Sequence, residues 1–227
     1  NFKLRGSYGS LGNQNVSNYG YIPSMGIFQP GYLIDGQRPF AVSTPGLVSG
    51  NYSWEKVNTL NFGVDLGLFE DRFNFNFDIY KRNTLDMLTR GKDLPGVLGA
   101  SEPNENAADL ETKGWEASLQ YRNQFSLGGS PFSFDTRLIL SDSRSWITRF
   151  DNPSNSILQF YKGMEMGEIW GFENDGLFES VEEIAELDQT SIIPWGALSI
   201  VPGWPKYVDQ DGNGVIEKGY TLSDTKD

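Results

Sequence analysis

The sequence contains no cysteine and no histidine among its 227 residues. The absence of cysteine excludes a disulfide framework, a thiol nucleophile and a Cys/His zinc site. The absence of histidine excludes a Ser-His-Asp triad and a histidine proton shuttle. Basic residues are also few, since 18 Lys and Arg stand against 30 Asp and Glu, for a net charge of −12. Because phosphate binding needs an excess of basic side chains, this charge argues against a nucleic-acid-binding protein.

Long apolar runs are missing as well. No run approaches the roughly 20 apolar residues that a membrane-spanning helix needs. Apolar and polar residues already alternate within the first eleven positions, so no signal peptide is expected there. Aromatic residues, in contrast, make up 14% of the chain, which also has 26 Gly. This composition favours strands and turns over helices.

The clearest pattern predicts a β-hairpin. Every even position from Leu60 to Leu68 is Leu, Phe or Val, and the odd positions between them are Asn, Gly or Asp. After the polar turn 70–72, apolar residues occupy the odd positions from Phe73 to Ile79, and the strand is expected to continue to Leu88. Strands with this period of two have one apolar and one polar face. A short polar segment between two such strands is typical of a hairpin.

The same plan recurs downstream. Apolar residues alternate with polar ones from Trp115 to Tyr121 and again from Phe132 to Leu140, with a Gly-Gly-Ser-Pro turn at 128–131 between them. A further strand is expected at the start of the chain, where Phe2, Leu4 and Tyr8 alternate with polar residues. The sequence therefore predicts an all-β fold of about five or six antiparallel strands.

The connections between these strands are unequal in length. Turns within the hairpins are short, whereas the links 9–53 and 89–114 and most of 141–227 are long. Long loops at one end and short turns at the other are typical of outer-membrane barrels, as are strands of about ten residues. A soluble β-sandwich also has alternating strands and an aromatic core, so the pattern alone leaves both architectures open.

The last long link contains a predicted helix and a predicted calcium loop. Residues 180–187 predict a short helix with Ser180 as cap and Glu183 as its capping-box partner. Residues 209–217 match the front of an EF-hand loop. The candidate calcium ligands are Asp209, Asp211, Asn213, the carbonyl of Val215, and Glu217. Position 12 is Tyr220 rather than Glu, so a turn held by Asp and Asn side chains is the alternative.

Two further groups of residues suggest carbohydrate chemistry. Acidic side chains cluster around Trp170, and a pair of them would suit a glycoside hydrolase, although a solvated acidic loop is the favoured interpretation. These side chains are Glu165, Glu168, Glu173 and Asp175. Trp195 and Trp204 lie in Pro/Gly-rich stretches, where an exposed indole can stack on a sugar ring or contact a partner. Packing beneath a long loop is the commoner role.

Several short motifs follow one another along nearly the whole sequence. They are Leu4–Gly9 with Gly12–Gln14, Trp54–Lys56, Asn61, Gly63, Asp65, Leu68–Phe69, Tyr80–Arg82, Thr84, Asp86–Leu88, Leu94–Pro95, Gly99, Asn106–Ala107, Gly114–Glu116, Trp170–Phe172, Asp175–Phe178, Glu182–Ile184, Pro202–Gly203, Lys206–Tyr207, Asp209 and Asp211–Gly214. In this order they resemble the SusC/RagA family of TonB-dependent transporters from the outer membrane of Bacteroidota. The chain departs from the family at Trp204, where Asp is usual, and in the order of Asp211 and Asn213.

The resemblance implies an importer of glycans or peptides in the outer membrane of a Gram-negative bacterium, energised through TonB and working with a SusD-like lipoprotein. It implies no catalytic residue and no cofactor other than the possible calcium ion. The plug domain, the TonB-contacting segment and most of the roughly 22 strands of such a barrel are not found here. We therefore expect residues 1–227 to be an internal part of the barrel, with 142–227 mostly extracellular loop.

In this barrel the apolar side chains of the first hairpin would face lipid. The opposite face would line the polar lumen with Asn61, Asp65, Asn74, Asn76 and Asp78. A secreted β-sandwich that binds carbohydrate is the main alternative. The two differ in one observable property, because a sandwich buries Phe62, Val64, Phe75 and Phe77 beneath a second sheet, whereas a barrel leaves them in an exposed apolar band.

Overall fold

Long antiparallel strands dominate the computed structural model, which describes residues 1–13, 19–92, 94–186 and 200–224. The strands are β1 (Phe2–Asn13), β2 (Ile27–Phe28), β3 (Ala41–Val42), β4 (Glu55–Leu68), β5 (Phe73–Arg90), β6 (Asn104–Leu127), β7 (Ser130–Arg149), β8 (Asn174–Leu177) and β9 (Pro205–Tyr207). A 3-10 turn covers Gly96–Leu98, and the helix α1 covers Val181–Ala185. The chain divides into two compact units, one of Asn1–Asp151 with Lys162–Met166 and one of Asn152–Tyr161 with Gly167–Asp227.

The first unit contains a five-stranded sheet in the order β1-β4-β5-β6-β7, with every neighbouring pair antiparallel. Both predicted hairpins are present. The turn between β6 and β7 consists of Gly128 and Gly129, whose φ angles are 60° and 86°. Two left-handed residues in succession match the twist of the strands they join, and glycine adopts this conformation without steric cost. The sheet is open, since β1 and β7 have no second neighbour among the described strands.

The strands extend further toward the long loops than the alternation predicts. β6 begins at Asn104, inside the segment 89–114 that the sequence analysis treats as a link, and β5 runs to Arg90 rather than Leu88. The register shifts between Thr84 and Met87, where Asp86 has a φ of 57°. A bulge of this kind changes which side chains point to which face, so the period of two breaks there.

The second unit contains the β8–β9 pair and α1. The Ser180 hydroxyl oxygen accepts a hydrogen bond from the Glu183 backbone N–H at 3.1 Å, which confirms the predicted cap. The Glu183 carboxylate in turn accepts from the N–H of Glu179 at 2.8 Å, one residue earlier than a standard capping box. The last predicted residue of this helix, Leu187, lies outside the described residues.

Apolar burial in the described chain is sparse. The buried apolar side chains are Ala108, Ile147, Tyr161, Phe178, Ile184 and Ile216. None belongs to the alternating part of the large sheet, where Phe62 is 56% and Leu4 67% exposed. Among the described elements of the first unit, no second sheet or helix packs over the apolar face of this sheet. The large sheet therefore keeps one apolar face uncovered.

None of the described helices is long and apolar enough to cross a membrane.

Candidate functional site

The apolar face of the large sheet is continuous across all five strands. The register aligns Leu4, Val64, Phe77, Ala117 and Leu140 in one row, so each strand contributes an apolar side chain at the same height. Along β6 the face extends from Trp115 to Phe125, about 33 Å of strand at ~3.3 Å per residue. At the ~40° tilt usual in outer-membrane barrels, this length corresponds to a band about 25 Å tall, the height of their lipid-facing surface.

Aromatic side chains mark both borders of this band. Trp115 lies at the border nearest the long loops, where it pairs across the sheet with Ile79. Near the short turns, the rings of Tyr121 and Phe134 are 5.6 Å apart, and those of Phe125 and Phe132 are 5.1 Å apart. Aromatic girdles at both edges of an apolar band are typical of membrane barrels, because these rings favour the lipid–water interface.

The opposite face is polar, and an ionic network crosses three of its strands. Arg5 on β1, Gly63 on β4 and Asp78 on β5 occupy the same row. The Arg5 guanidinium donates to Asp78 at 2.9 and 2.7 Å and to Asp65 at 2.8 and 2.9 Å. Asn76 also donates to Asp65, at 2.8 Å. Two bidentate contacts from one guanidinium hold the three strands in a single arrangement on this face.

Gly63 makes this network possible. A Cβ atom at position 63 would lie 2.5 Å from Asp78 Oδ1 and 2.7 Å from Arg5 Cζ, so only glycine lets the guanidinium pass over β4. The alternation of the sequence predicts Asp65, Asn76 and Asp78 on this face but does not identify Arg5 as their partner. The missing information was the register, since β1 and β4 pair across a link of more than forty residues.

A second polar cluster joins the strand ends nearest the long loops. Glu55 is 9% exposed, and its carboxylate accepts from the Asn13 side chain at 2.8 Å and the Leu88 backbone N–H at 3.0 Å. Arg149 donates to Asp109 at 2.7 Å and to Asp86, the residue at the bulge, at 2.9 Å. These contacts fix the points at which the loops leave the sheet. Glu55 and Asp86 both lie in motifs of the sequence, but no periodicity identifies Arg149 as the partner of Asp86 and Asp109.

The predicted calcium loop forms a turn held by its own side chains. The Asp209 carboxylate accepts from the backbone N–H groups of Gly212 and Gly214, both at 2.7 Å, and Asn213 Oδ1 accepts from that of Val215 at 2.7 Å. Asp211 accepts from the backbone and side chain of Asn213 at 3.1 and 2.9 Å. The N–H of Gly214, with that of Gly212, holds the pKa of Asp209 below its ordinary value.

These contacts are the ones expected of the alternative, a turn held by Asp and Asn side chains. Within the described ranges, no group of three or more Asp or Glu side chains is arranged to hold a metal ion. An EF-hand loop binds calcium partly through carbonyl and amide oxygens, and a group defined by carboxylates alone does not include these ligands. The calcium site formed by Asp209, Asp211, Asn213, Val215 and Glu217 stays a prediction.

The acidic residues around Trp170 contact different partners. Glu165 lies in the first unit, 3.7 Å from the Arg144 guanidinium. In the second unit, Glu168 accepts a hydrogen bond from the Tyr161 hydroxyl and Glu173 accepts one from Gln210 at 3.1 Å. Trp204 is half-buried and its carbonyl accepts from the N–H of Phe178 at 3.0 Å, whereas Trp195 lies outside the described residues.

Comparison with known proteins identifies similar chains. The profile of the family described as "TonB dependent receptor-like, beta-barrel" matches residues 1–224. The TonB-dependent receptor P3 of Formosa agariphila is 28% identical over 95% of this chain and 22% of its own length. The TonB-dependent receptor SusC of Bacteroides thetaiotaomicron is 24% identical over 96% of this chain and 21% of its own.

Among solved structures, the RagAB peptide importer in its closed-closed state superposes with a TM-score of 0.56 at 24% identity. The alignment covers 70% of this chain and 16% of that one. This likeness supports the fold. The chain spans about a fifth of the length of the curated relatives it matches.

Proposed function

The chain belongs to the TonB-dependent receptor β-barrel family, and on this premise we propose that it forms part of the wall of a SusC-like importer in a bacterial outer membrane. The observation that carries the proposal is the contrast between the two faces of the large sheet. One face presents an uncovered apolar band bordered by aromatic rings, and the other carries the Arg5–Asp65–Asp78 network. A barrel wall between lipid and a hydrated lumen requires this contrast.

The proposed cargo is an oligosaccharide or a peptide that passes through the lumen. One similar structure is that of the RagAB peptide importer, and one relative is SusC. The polar face would contribute hydrogen-bonding groups to the passage, and no covalent step is needed. A SusD-like lipoprotein would contact the long loops from outside, and TonB would act through parts of the protein beyond these residues.

A soluble β-sandwich would require a second sheet that covers the apolar face. Phe62 is 56% exposed, and no described sheet of the first unit covers the face on which it lies. A sandwich of this size would bury such side chains between two sheets about 10 Å apart. The uncovered band therefore favours the barrel.

Neighbouring positions on β5 allow a direct test of the proposed wall, and these 227 residues contribute no cysteine of their own. Phe75 points to the apolar face and Asn76 to the polar face. In the full-length protein in intact outer membranes, with any other cysteines removed, a small water-soluble thiol reagent should modify Asn76→Cys much faster than Phe75→Cys. Equal rates, or faster modification of Phe75→Cys, would contradict a wall between lipid and water.

Transport itself can be tested in a strain that lacks the full-length gene. Uptake of labelled oligosaccharides or peptides should fall in this strain and return when the gene is restored. Disruption of TonB should abolish the restored uptake. Unchanged uptake of both classes of compound would contradict the proposed activity.

A further inference from the structure

An open groove of about 380 Å³ lies on the apolar face of the large sheet, at the border nearest the long loops. Phe62, Ile79 and Trp115 form one row of its lining, with Asp142 at the β7 end of that row. Leu60 lies in the next row toward the long loops, level with Lys81, Lys113 and Arg144. Leu60, Phe62 and Ile79 are 40%, 56% and 53% exposed. This apolar part of the groove therefore continues the band that is proposed to contact lipid acyl chains.

The upper part of the groove is lined by charged and aromatic side chains. Lys81 and Lys113 both contact the carboxylate of Glu111, at 2.5 and 2.7 Å. The Lys113 ammonium also lies 5.5 Å from the ring centre of Trp146. Glu111 and Trp146 thus hold two ammonium groups close together directly above the apolar band.

Arg144 adds a third cation to this upper part. Its guanidinium lies 3.9 Å from Asp142 and 3.7 Å from Glu165, longer than ordinary charge-assisted hydrogen bonds, and its side chain is 61% exposed. The groove therefore combines cations, carboxylates and indole rings above an apolar floor. A partly exposed guanidinium with such long contacts can still bind a phosphate oxygen pair in bidentate fashion.

We propose that this groove binds a phosphorylated glycolipid of the outer leaflet. An acyl chain lies along Leu60, Phe62 and Ile79, while Lys113 and Arg144 bind the phosphate. The sugar ring packs against Trp146, and the neighbouring carboxylates accept hydrogen bonds from its hydroxyl groups. The proposal rests on the proposed function, because the groove faces an outer leaflet only if the sheet is part of an outer-membrane wall.

The mixed chemistry distinguishes this occupant from simpler ones. A free phosphate would leave the apolar floor uncovered, and an uncharged lipid would leave the cations without an added partner. The carboxylates of Glu111, Asp142 and Glu165 lie beside the three cations and are acceptors for hydroxyl groups, which a ligand with a sugar as well as a phosphate supplies. Long loops of outer-membrane barrels face outward, which places this border at the outer leaflet.

The test compares two arginines on β7 in the purified full-length protein. Arg144→Gln removes the proposed phosphate contact. The matched control is Arg137→Gln, on the opposite face of the same strand, where Arg137 donates to Ser118 at 3.0 Å. The probes are an acylated glucosamine disaccharide that carries one phosphate and the same lipid without phosphate, with binding measured by native mass spectrometry.

The phosphorylated lipid should bind the parent protein and Arg137→Gln equally, and bind Arg144→Gln roughly tenfold more weakly, the loss expected for one charge-assisted contact. Removal of the phosphate should weaken binding to the parent protein by a similar factor. Equal binding by both variants, or equal binding of the two lipids, would overturn the glycolipid site. A full-length protein that does not insert into the outer membrane would overturn the proposed function instead.

Discussion

The ionic network on the polar face requires that position 63 carry no side chain, and Gly63→Ala tests this requirement. An ordinary van der Waals contact begins at about 3.4 Å, whereas the new Cβ would stand 2.5 Å from Asp78 Oδ1. The carboxylate must therefore retreat by about 0.9 Å, or the guanidinium must leave. The Arg5–Asp78 hydrogen bonds of 2.9 and 2.7 Å cannot both survive this displacement.

The clashing atoms are the ends of flexible side chains, so the sheet itself should remain intact while the network opens. β1 would then keep its backbone pairing with β4 and lose its side-chain connection to β5. In the full-length protein, hydrogen exchange should accelerate in β1 around Arg5. Gly9→Ala is the matched control, because Gly9 also lies on β1 and its new Cβ would meet nothing within 4 Å.

A double-mutant cycle separates the network from a general effect of the added methyl group. Asp78→Asn should accelerate exchange in β1 much as Gly63→Ala does, and the two changes together should add little to either alone. Equal exchange in the Gly63→Ala and Gly9→Ala proteins would refute the reasoning. Fully additive effects of Gly63→Ala and Asp78→Asn would also refute it.

The second unit supports three further predictions. Ser180→Ala removes the α1 cap, so the helix should lose ~1 kcal/mol of local stability by hydrogen exchange; unchanged exchange would contradict the cap. Lys206 donates to Glu183 at 2.7 Å, which lowers the pKa of Glu183 and raises that of Lys206. The pair should therefore stabilise β8, α1 and β9 most between pH 4.5 and 10.5, the ordinary pKa values of Glu and Lys. This contribution should disappear as the pH falls through the lowered pKa of Glu183, or as it rises through the raised pKa of Lys206. Glu183→Gln should abolish the change in hydrogen exchange at acidic pH, and a change that persists in this variant would contradict the role of the pair. Finally, Asp209→Asn should weaken calcium binding in a calorimetric titration, whereas absence of binding by the parent protein would dismiss the calcium loop.

The elements that sequence analysis recovered are those whose signal is local. The alternation at 60–68 and 73–79 reports the two faces of a strand wherever one face is apolar. The glycine pair at 128–129 and the Ser180 cap are equally local, since each depends on the conformation of a few consecutive residues. Beyond the apolar band the alternation stops, because Met87 and Leu88 are adjacent beside the bulge at Asp86 and Ala107 and Ala108 are adjacent near the start of β6.

The sequence by itself determined that this protein is built from strands with one apolar and one polar face, because side-chain alternation follows directly from backbone geometry. Only the tertiary structure decided which residues meet across strands. Arg5 reaches Asp78 over Gly63, and Lys113 approaches Trp146, because pairing brings together residues far apart in the chain. Register is set by the combined packing of a whole face, so no local pattern specifies these contacts. The same structure also separated the exposed band of a barrel wall from the buried core of a sandwich, since burial depends on what covers a face and not on the face alone.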